Sequence, residues 1–313
     1  MLKVGVVGVG TISKSHIRAW EAMEDVELVA LCDIRPEQLE GYSGKHLYTD
    51  YDVMLSQETL DIVDVCLPTF LHVENVLKAI EKGINVLCEK PLSMNKDDVK
   101  KVYDAAEKHH VKVMVAHVIR FWPEYVLLKG ICENGKYGKL LSGNMTRLSS
   151  MPKRSWNHWM RDEKLSGLVP YDLHIHDCDF LIHAFGAPQN VVTHRVKRQN
   201  QDYLNVMYEY PEFFITTEAS WYSAGYPFSA GYRFQFEHAT LEYKDGKCLA
   251  YEDNGNIVDL SEDSGKDVHS FVPESDGYAN EIRYFADCVA NNKSVEMVKP
   301  DELETVISLV GAM

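Results

Sequence analysis

Short apolar runs and amphipathic stretches alternate along the first third of the chain. Val4–Val9, Val26–Cys32, Ile62–Leu67, Ile84–Cys88 and Val111–Ala116 are nearly continuous and rich in β-branched residues, as expected of strands covered on both faces. Between them, Ile12–Met23, His72–Lys82 and Lys96–His109 carry the length and spacing of helices. Strand–helix alternation of this kind predicts an α/β fold with a doubly wound parallel sheet. After about residue 120 the period shortens. VTHRVKRQ, YLNVMYEY, FFITTEASW, YRFQFEH and ATLEYKD alternate apolar and polar positions, which predicts antiparallel strands with one face packed and the other wet. Helices are expected over 169–184 and 278–291, with a last one from near Asp301 in which the sequence ends. The division predicted is 1–119 and 120–313, with no internal repeat and no low-complexity linker.

Composition narrows the classes open to such a chain. It has 313 residues, 45% hydrophobic and 25% charged, enough for two domains with their own cores. The formal charge is −15 and no run of Lys/Arg occurs, which argues against nucleic acid or an anionic membrane as partner. Seven cysteines, with no CxxC pair, predict reduced and mostly buried thiols in a cytoplasmic protein. The N-terminal run VGVVGVG is far shorter than the roughly 20 residues of a membrane span, and it lacks the marks of a signal peptide.

Candidate chemistry begins at that run. Gly8 and Gly10 stand where the first strand meets the first helix. There Gly8 permits a tight turn, and Gly10 lets the backbone approach a pyrophosphate at the helix N-terminus, with Thr11 and Ile12 completing the turn. The third position of the dinucleotide pattern is Ser13 rather than glycine, small enough for helix–strand contact. Asp33, about 20 residues further on, suits the hydroxyls of an adenosine ribose and disfavours a 2′-phosphate. NAD is therefore expected, with NADP open should Arg35 turn inward. Two more strand ends carry LPTFLH, with Pro68 and His72, and CEKPL, with Glu89, Lys90 and Pro91. Ligands of open α/β sheets lie beyond the carboxyl ends of the strands, so these residues are expected at the cofactor.

The densest polar cluster is GLVPYDLHIHDCD at 167–179. Pro170 suits a helix start, and Gly186 with Pro188 a stop. Helical spacing lines up Asp172, His176, Asp179 and His183 on one stripe flanked by apolar residues, a costly arrangement unless the groups are paired or used. His174 then points away from His176, so no HxH metal pair forms and no metal is expected. Asp172, one turn before His176, can fix its tautomer and stabilise its charged form, an acid–base pair.

Together these residues resemble the glucose–fructose oxidoreductase/inositol dehydrogenase (Gfo/Idh/MocA) family. The resemblance rests on GVGTI, on Pro68 and His72 in LPTFLH, and on Glu89-Lys90-Pro91. It continues through Arg120, Phe121 and Pro123 in VIRFWPEY and the Asp172…His176…Asp179 spacing. It spans essentially the whole chain, departing at Ser13 and at Gly167-Leu168, where many members have a glycine pair. The resemblance implies a Rossmann domain followed by an α+β domain with a large, open, mostly antiparallel sheet, and a homodimer or homotetramer built through that sheet. It implies an NAD(P)-dependent dehydrogenase of sugars or cyclic polyols, with inositol dehydrogenases the nearest kin. Lys90, Asp172 and His176 match its catalytic positions.

On that reading His176, oriented by Asp172, takes the proton of a secondary alcohol while hydride passes to the nicotinamide. Lys90 stabilises the developing oxyanion and shares the relay, its pKa lowered by the nearby cationic ring. The pattern leaves both Lys90 and His176 as bases. Arg120, Asn157, His158 and Trp159 are candidates to hold the substrate, with Tyr171 adjoining by sequence. The alternatives are a redox-neutral hydrolase that uses NAD transiently on a glycosidic bond, and a sugar- or NAD-sensing regulator without chemistry.

Overall fold

The computed structural model describes residues 1–153, 155–261 and 277–313. Contacts divide the chain into two compact units, Met1–Val118 with Asp276–Glu304, and Ile119–Ser275 with Thr305–Met313.

The first unit is built on β1 (Leu2–Val7), β2 (Val26–Cys32), β3 (His46–Tyr48), β4 (Ile62–Val65), β5 (Asn85–Glu89) and β6 (Val113–Ala116). Their order is β3-β2-β1-β4-β5-β6 and every neighbouring pair is parallel. Helices α1 (Ser13–Glu21), α2 (Tyr51–Gln57), α3 (His72–Glu81) and α4 (Asp97–His109) connect them. The apolar runs are buried along most of their length, with Val4, Val6, Ile62, Val63, Val65, Val86 and Leu87 all at 0% exposure, as a sheet covered on both faces requires. Asp64 sits among them in β4, equally buried. The doubly wound parallel sheet is thus as expected; β3 and α2 are additions to it.

The second unit carries α5 (Pro123–Asn134), α6 (Glu163–Ser166), α7 (Ile175–Phe185) and an eight-stranded sheet. Its strands are β7 (Leu140–Ser150), β8 (Asn190–Arg198), β9 (Gln201–Glu209), β10 (Phe214–Tyr222), β11 (Ser229–Phe236), β12 (Ala239–Lys244), β13 (Lys247–Glu252) and β14 (Ile257–Asp259). They run in the order β14-β13-β12-β11-β7-β10-β9-β8, antiparallel except for β7 beside β10. β9 alternates buried Leu204, Val206 and Tyr208 with partly exposed Tyr203, Asn205 and Met207, the pattern of a sheet with one packed face.

The expected division at 119/120 needs one correction. Helix α8 (Gly277–Ala290) belongs to the first unit, not the second. Ile282, Phe285 and Ala286 are fully buried. Tyr278 lies 5.8 Å from the His16 ring on α1, and Arg283 forms a two-pronged ion pair with Asp25. Helix α9 (Pro300–Gly311) closes the chain. All seven cysteines are free, six of them buried. Among the described residues no helix is long and apolar enough to cross a membrane.

Candidate active site

The turn from β1 into α1 is made by Gly8 under two constraints. Its φ is +90°, and a Cβ there would stand 2.6 Å from the Cys66 carbonyl oxygen, so only glycine fits without moving β4. At Gly10 a Cβ would meet nothing within 4 Å, so the backbone there is open to approach. Thr11 is exposed and Ile12 half-buried. Helix α1 begins without a side-chain cap, leaving its first N–H groups to a ligand or solvent. Ser13 is fully buried and donates its hydroxyl to Gly10 O at 3.0 Å, so the departure from a third glycine tightens the turn.

Asp33, at the end of β2, is already fully engaged. Oδ2 accepts from Val9 N at 2.9 Å and from Arg35 Nη2 at 3.0 Å, while Oδ1 accepts from Arg35 N at 2.9 Å and Arg35 Nε at 3.0 Å. The carboxylate thus ties the glycine turn to the β2 end, and Arg35 has turned inward onto it.

His72 bridges two other strand ends. Nδ1 lies 2.7 Å from Pro91 O and Nε2 2.6 Å from Leu67 O, and burial holds the imidazole below its ordinary pKa. It braces the loops that carry Pro68 and Lys90-Pro91. Glu89 is buried; Oε2 accepts the Lys90 N–H at 3.0 Å.

The 170–185 segment departs from regular helical spacing at its start. Pro170–His174 forms a π-helical turn that passes into α7, a wide turn that recurs at functional sites. Gly167 and Leu168 precede it, both left-handed with φ of +69° and +58°. Leu168 therefore adopts the conformation that the missing glycine would take, and its buried side chain offsets the strain. Tyr171 packs over Gly167, where a Cβ would stand 2.2 Å from its ring.

Ion pairs sort the polar side chains of this segment. His174 is buried against Tyr208, with Nε2 2.7 Å from the hydroxyl; burial, with Arg147 nearby, presses its pKa down to about 3. Asp177 accepts from Arg147 on β7 at 2.8 and 3.3 Å, and Arg147 also donates to the Tyr125 hydroxyl at 3.1 Å. Asp179 accepts two bonds from Arg120, at 2.6 and 2.8 Å, and His183 Nδ1 lies 3.3 Å from the same guanidinium. Asp172, His176 and His183 are the half-buried members of the set.

Arg120 is buried and braces Asp179, its fork of donors engaging α7. Asn157 and His158 are exposed and left-handed, at φ of +48° and +56°, within the short 3-10 segment Trp156–Arg161; Trp159 is half-buried there. His16 was missed. Its Nδ1 lies 2.9 Å from Asp64 Oδ2 and its Nε2 3.0 Å from Glu89 Oε1. The signal for it was Asp64, a charge inside the otherwise apolar run IVDVC, which demands a buried partner.

Residues 2–117 match the family described as an oxidoreductase family with an NAD-binding Rossmann fold, and residues 125–242 match the GFO/IDH/MocA C-terminal domain. The D-glucoside 3-dehydrogenase of Escherichia coli K12 is 29% identical over 192 residues, 60% of this chain and 55% of that protein. The 2,7-anhydro-N-acetylneuraminate hydratase of Mediterraneibacter gnavus is 29% identical over 191 residues, 60% of this chain and 50% of its own. The chain spans about half the length of the curated relatives it matches. In three dimensions, an oxidoreductase from Agrobacterium radiobacter, solved with NAD+, L-tartaric acid and magnesium, superposes with a TM-score of 0.82 at 17% identity, covering 99% of this chain and 94% of that one. Glycine turn, strand-end Glu-Lys-Pro, two-sheet architecture and both matched segments agree: the chain belongs to the GFO/IDH/MocA oxidoreductase family.

Proposed function

We propose that the chain is an NAD(P)-dependent dehydrogenase that oxidises a secondary alcohol of a sugar or cyclic polyol to the ketone. The observation that carries the reading is the placing of Asp172 and His176, both half-buried and one turn apart, on the segment that opens with the π-helical turn, a spacing suited to acid–base work. Relatives named as sugar dehydrogenases support the substrate class.

The glycine turn fits a dinucleotide: Gly8 admits no Cβ, Gly10 faces open space and α1 starts uncapped. Gly8, Gly10, Thr11 and Ile12 would hold it, with Asp33 joining where its bonds to Arg35 give way to ribose hydroxyls, and Pro68 in the loop beyond β4. When bound, it supplies a nicotinamide that accepts hydride from the alcohol carbon. His176 takes the hydroxyl proton, Asp172 holds its tautomer and its charge, and Lys90 donates to the oxygen as negative charge develops. Asn157, His158 and Trp159 contribute to substrate recognition.

The test is nicotinamide absorbance with purified protein, NAD+ or NADP+, and a panel of inositols, aldoses and acidic or amino sugars. Reduction with one class establishes the dehydrogenase and its substrate class together. Two of the relatives are named hydratases, which favours a second reading, redox-neutral use of the cofactor. In that case product forms with no net absorbance change. Tight cofactor binding with no product from any compound would instead point to a sensor.

NAD is favoured over NADP, with Arg35 as the residue that tempers the preference. Because Arg35 occupies both Asp33 oxygens, Arg35→Ala should free the carboxylate for ribose hydroxyls and remove the cation a 2′-phosphate would seek. The ratio of kcat/KM for NAD+ over NADP+ is expected to rise by about tenfold, the scale of one charge-assisted hydrogen bond. An unchanged ratio would exclude Arg35 as a determinant.

The large sheet is proposed as the self-association surface. Tyr203, Phe214, Tyr251 and Ile257, all on its strands, are 38%, 46%, 38% and 65% exposed. Light scattering is expected to give the mass of a dimer or tetramer, and Phe214→Glu with Tyr203→Glu to shift it toward a monomer.

A further inference from the structure

Beneath the Lys90 strand end lies a group of charged side chains that the proposed reaction does not use. His16, Asp64 and Glu89 are 0%, 0% and 7% exposed. Asp64 Oδ2 accepts from Trp20 Nε1 at 2.7 Å as well as facing His16 Nδ1, and Cys66 Sγ lies 3.5 Å from Asp64 Oδ1. Glu89 divides its two oxygens: Oε1 faces His16 Nε2 at 3.0 Å, and Oε2 accepts the Lys90 main-chain N–H at 3.0 Å. Tyr278 of α8 closes the remaining side of the imidazole.

Carboxylates only accept, so an imidazole between two of them satisfies both contacts by carrying both protons. Burial alone would lower the His16 pKa, but Asp64 and Cys66 together outweigh it and hold the ring well above its ordinary value. Burial would likewise raise Glu89, yet His16 and Lys90 hold it below the usual carboxylate range. One cation between two anions leaves the chain one negative charge, and the Lys90 cation is among the groups that hold Glu89 down. His72, the other ring beside this strand end, is held toward neutrality by burial.

We propose that His16 is a positioning residue for Lys90: clamped between Asp64 and Glu89, it orients the carboxylate that fixes the Lys90 main chain and sets the charge beside the Lys90 side chain. The proposal rests on Lys90 as a catalytic group. A metal ion is the competing occupant, since donor atoms of His16, Asp64 and Cys66 lie within 4.8 Å of one another. The direct 2.9 Å bond from His16 to Asp64, with Trp20 on the same oxygen, leaves no gap for an ion between them.

The test follows charge through three variants of the full chain. His16→Gln removes the cation; Asp64→Asn removes one anion; the double variant restores the wild-type sum. The Lys90 pKa is read by carbon-13 NMR of reductively methylated protein, with the resonance identified by its loss in Lys90→Ala. His16→Gln is expected to raise that pKa and Asp64→Asn to lower it, since each changes one charge of the cluster behind Glu89. The double variant should return to the wild-type value. In turnover, His16→Gln should lower kcat by about tenfold or more with the KM for NAD+ little changed, move the pH profile with the Lys90 pKa, and recover in the double variant.

A purely structural His16 would leave the Lys90 pKa in place and make the double variant no better than the single; either result overturns the proposal. So would stoichiometric zinc in the wild-type protein that His16→Gln loses. If His16→Gln does not fold, the opposite shift in Asp64→Asn still decides. The NMR reading needs no turnover, so an inactive wild type would reject the dehydrogenase and leave the role of His16 decided on its own.

Discussion

Lys90→Ala is expected to lower kcat/KM by about 10²–10⁴ while NAD+ binding, measured by calorimetry, stays within a few-fold of wild type. The main chain at residue 90 is held by the Glu89 carboxylate and the adjoining Pro91 carbonyl by His72, contacts that truncating the Lys90 side chain leaves in place. Loss should therefore fall on chemistry rather than on folding or cofactor affinity. His176→Gln should cost a comparable factor, and Asp172→Asn less if its duty is to orient the ring. Comparing pH profiles separates the two bases: the variant that removes the primary base abolishes the acidic limb of kcat/KM. A Lys90→Ala enzyme within tenfold of wild type would reject Lys90 as the oxyanion partner.

Asp179→Ala should destabilise the protein by about 3–5 kcal/mol, read as a fall in the denaturant midpoint, because it leaves the Arg120 guanidinium buried without its carboxylate. Arg120→Met should cost a similar amount. Arg120→Met combined with Asp179→Leu removes both charges and should cost much less than the two single changes summed. This cycle also decides how Arg120 serves the protein. A substrate ligand would raise KM at constant stability; a brace lowers stability first.

The first sheet was legible because its strands are buried on both faces and so write unbroken apolar runs. β7 was not legible, although it lies at the centre of the large sheet. Its sequence, LLSGNMTRLSS, is mostly small and polar, and the inward positions are Gly143, Met145 and Arg147. The arginine points inward only because Asp177, 30 residues on, neutralises it. Helix α5 escaped for the opposite reason, with YVLLKGIC apolar around most of its circumference. β3 and α2 are too short to establish a period.

In the site, what depended on local spacing was visible: the Gly8 turn, Asp33 with Arg35, and the Asp172–His176 separation. What depended on distant partners was not. Arg120 finds Asp179 across 59 residues and His16 finds Glu89 across 73, and both were decided by which buried charge needed an opposite. The π-helical turn at Pro170–His174 has no periodic mark either, since five residues are too few to distinguish it from an α-helical start.

The return of α8 to the first unit makes the order of synthesis matter. Asp25 and Arg283, joined by two hydrogen bonds, stand 258 residues apart. A ribosome must therefore deliver residues 119–275, all of the second unit but its last stretch, before the first can seal the flank of α1. Until then Trp20 and Ile17, with the His16 charge among them, await one wall of their enclosure. Residues 119–275 are in effect an insertion between β6 and α8, while Thr305–Met313 of the same unit emerges only after α8. Cutting the gene after residue 118 would accordingly yield a nucleotide-binding fragment with an open seam, prone to clump, whereas grafting α8 back through a short linker should make it soluble.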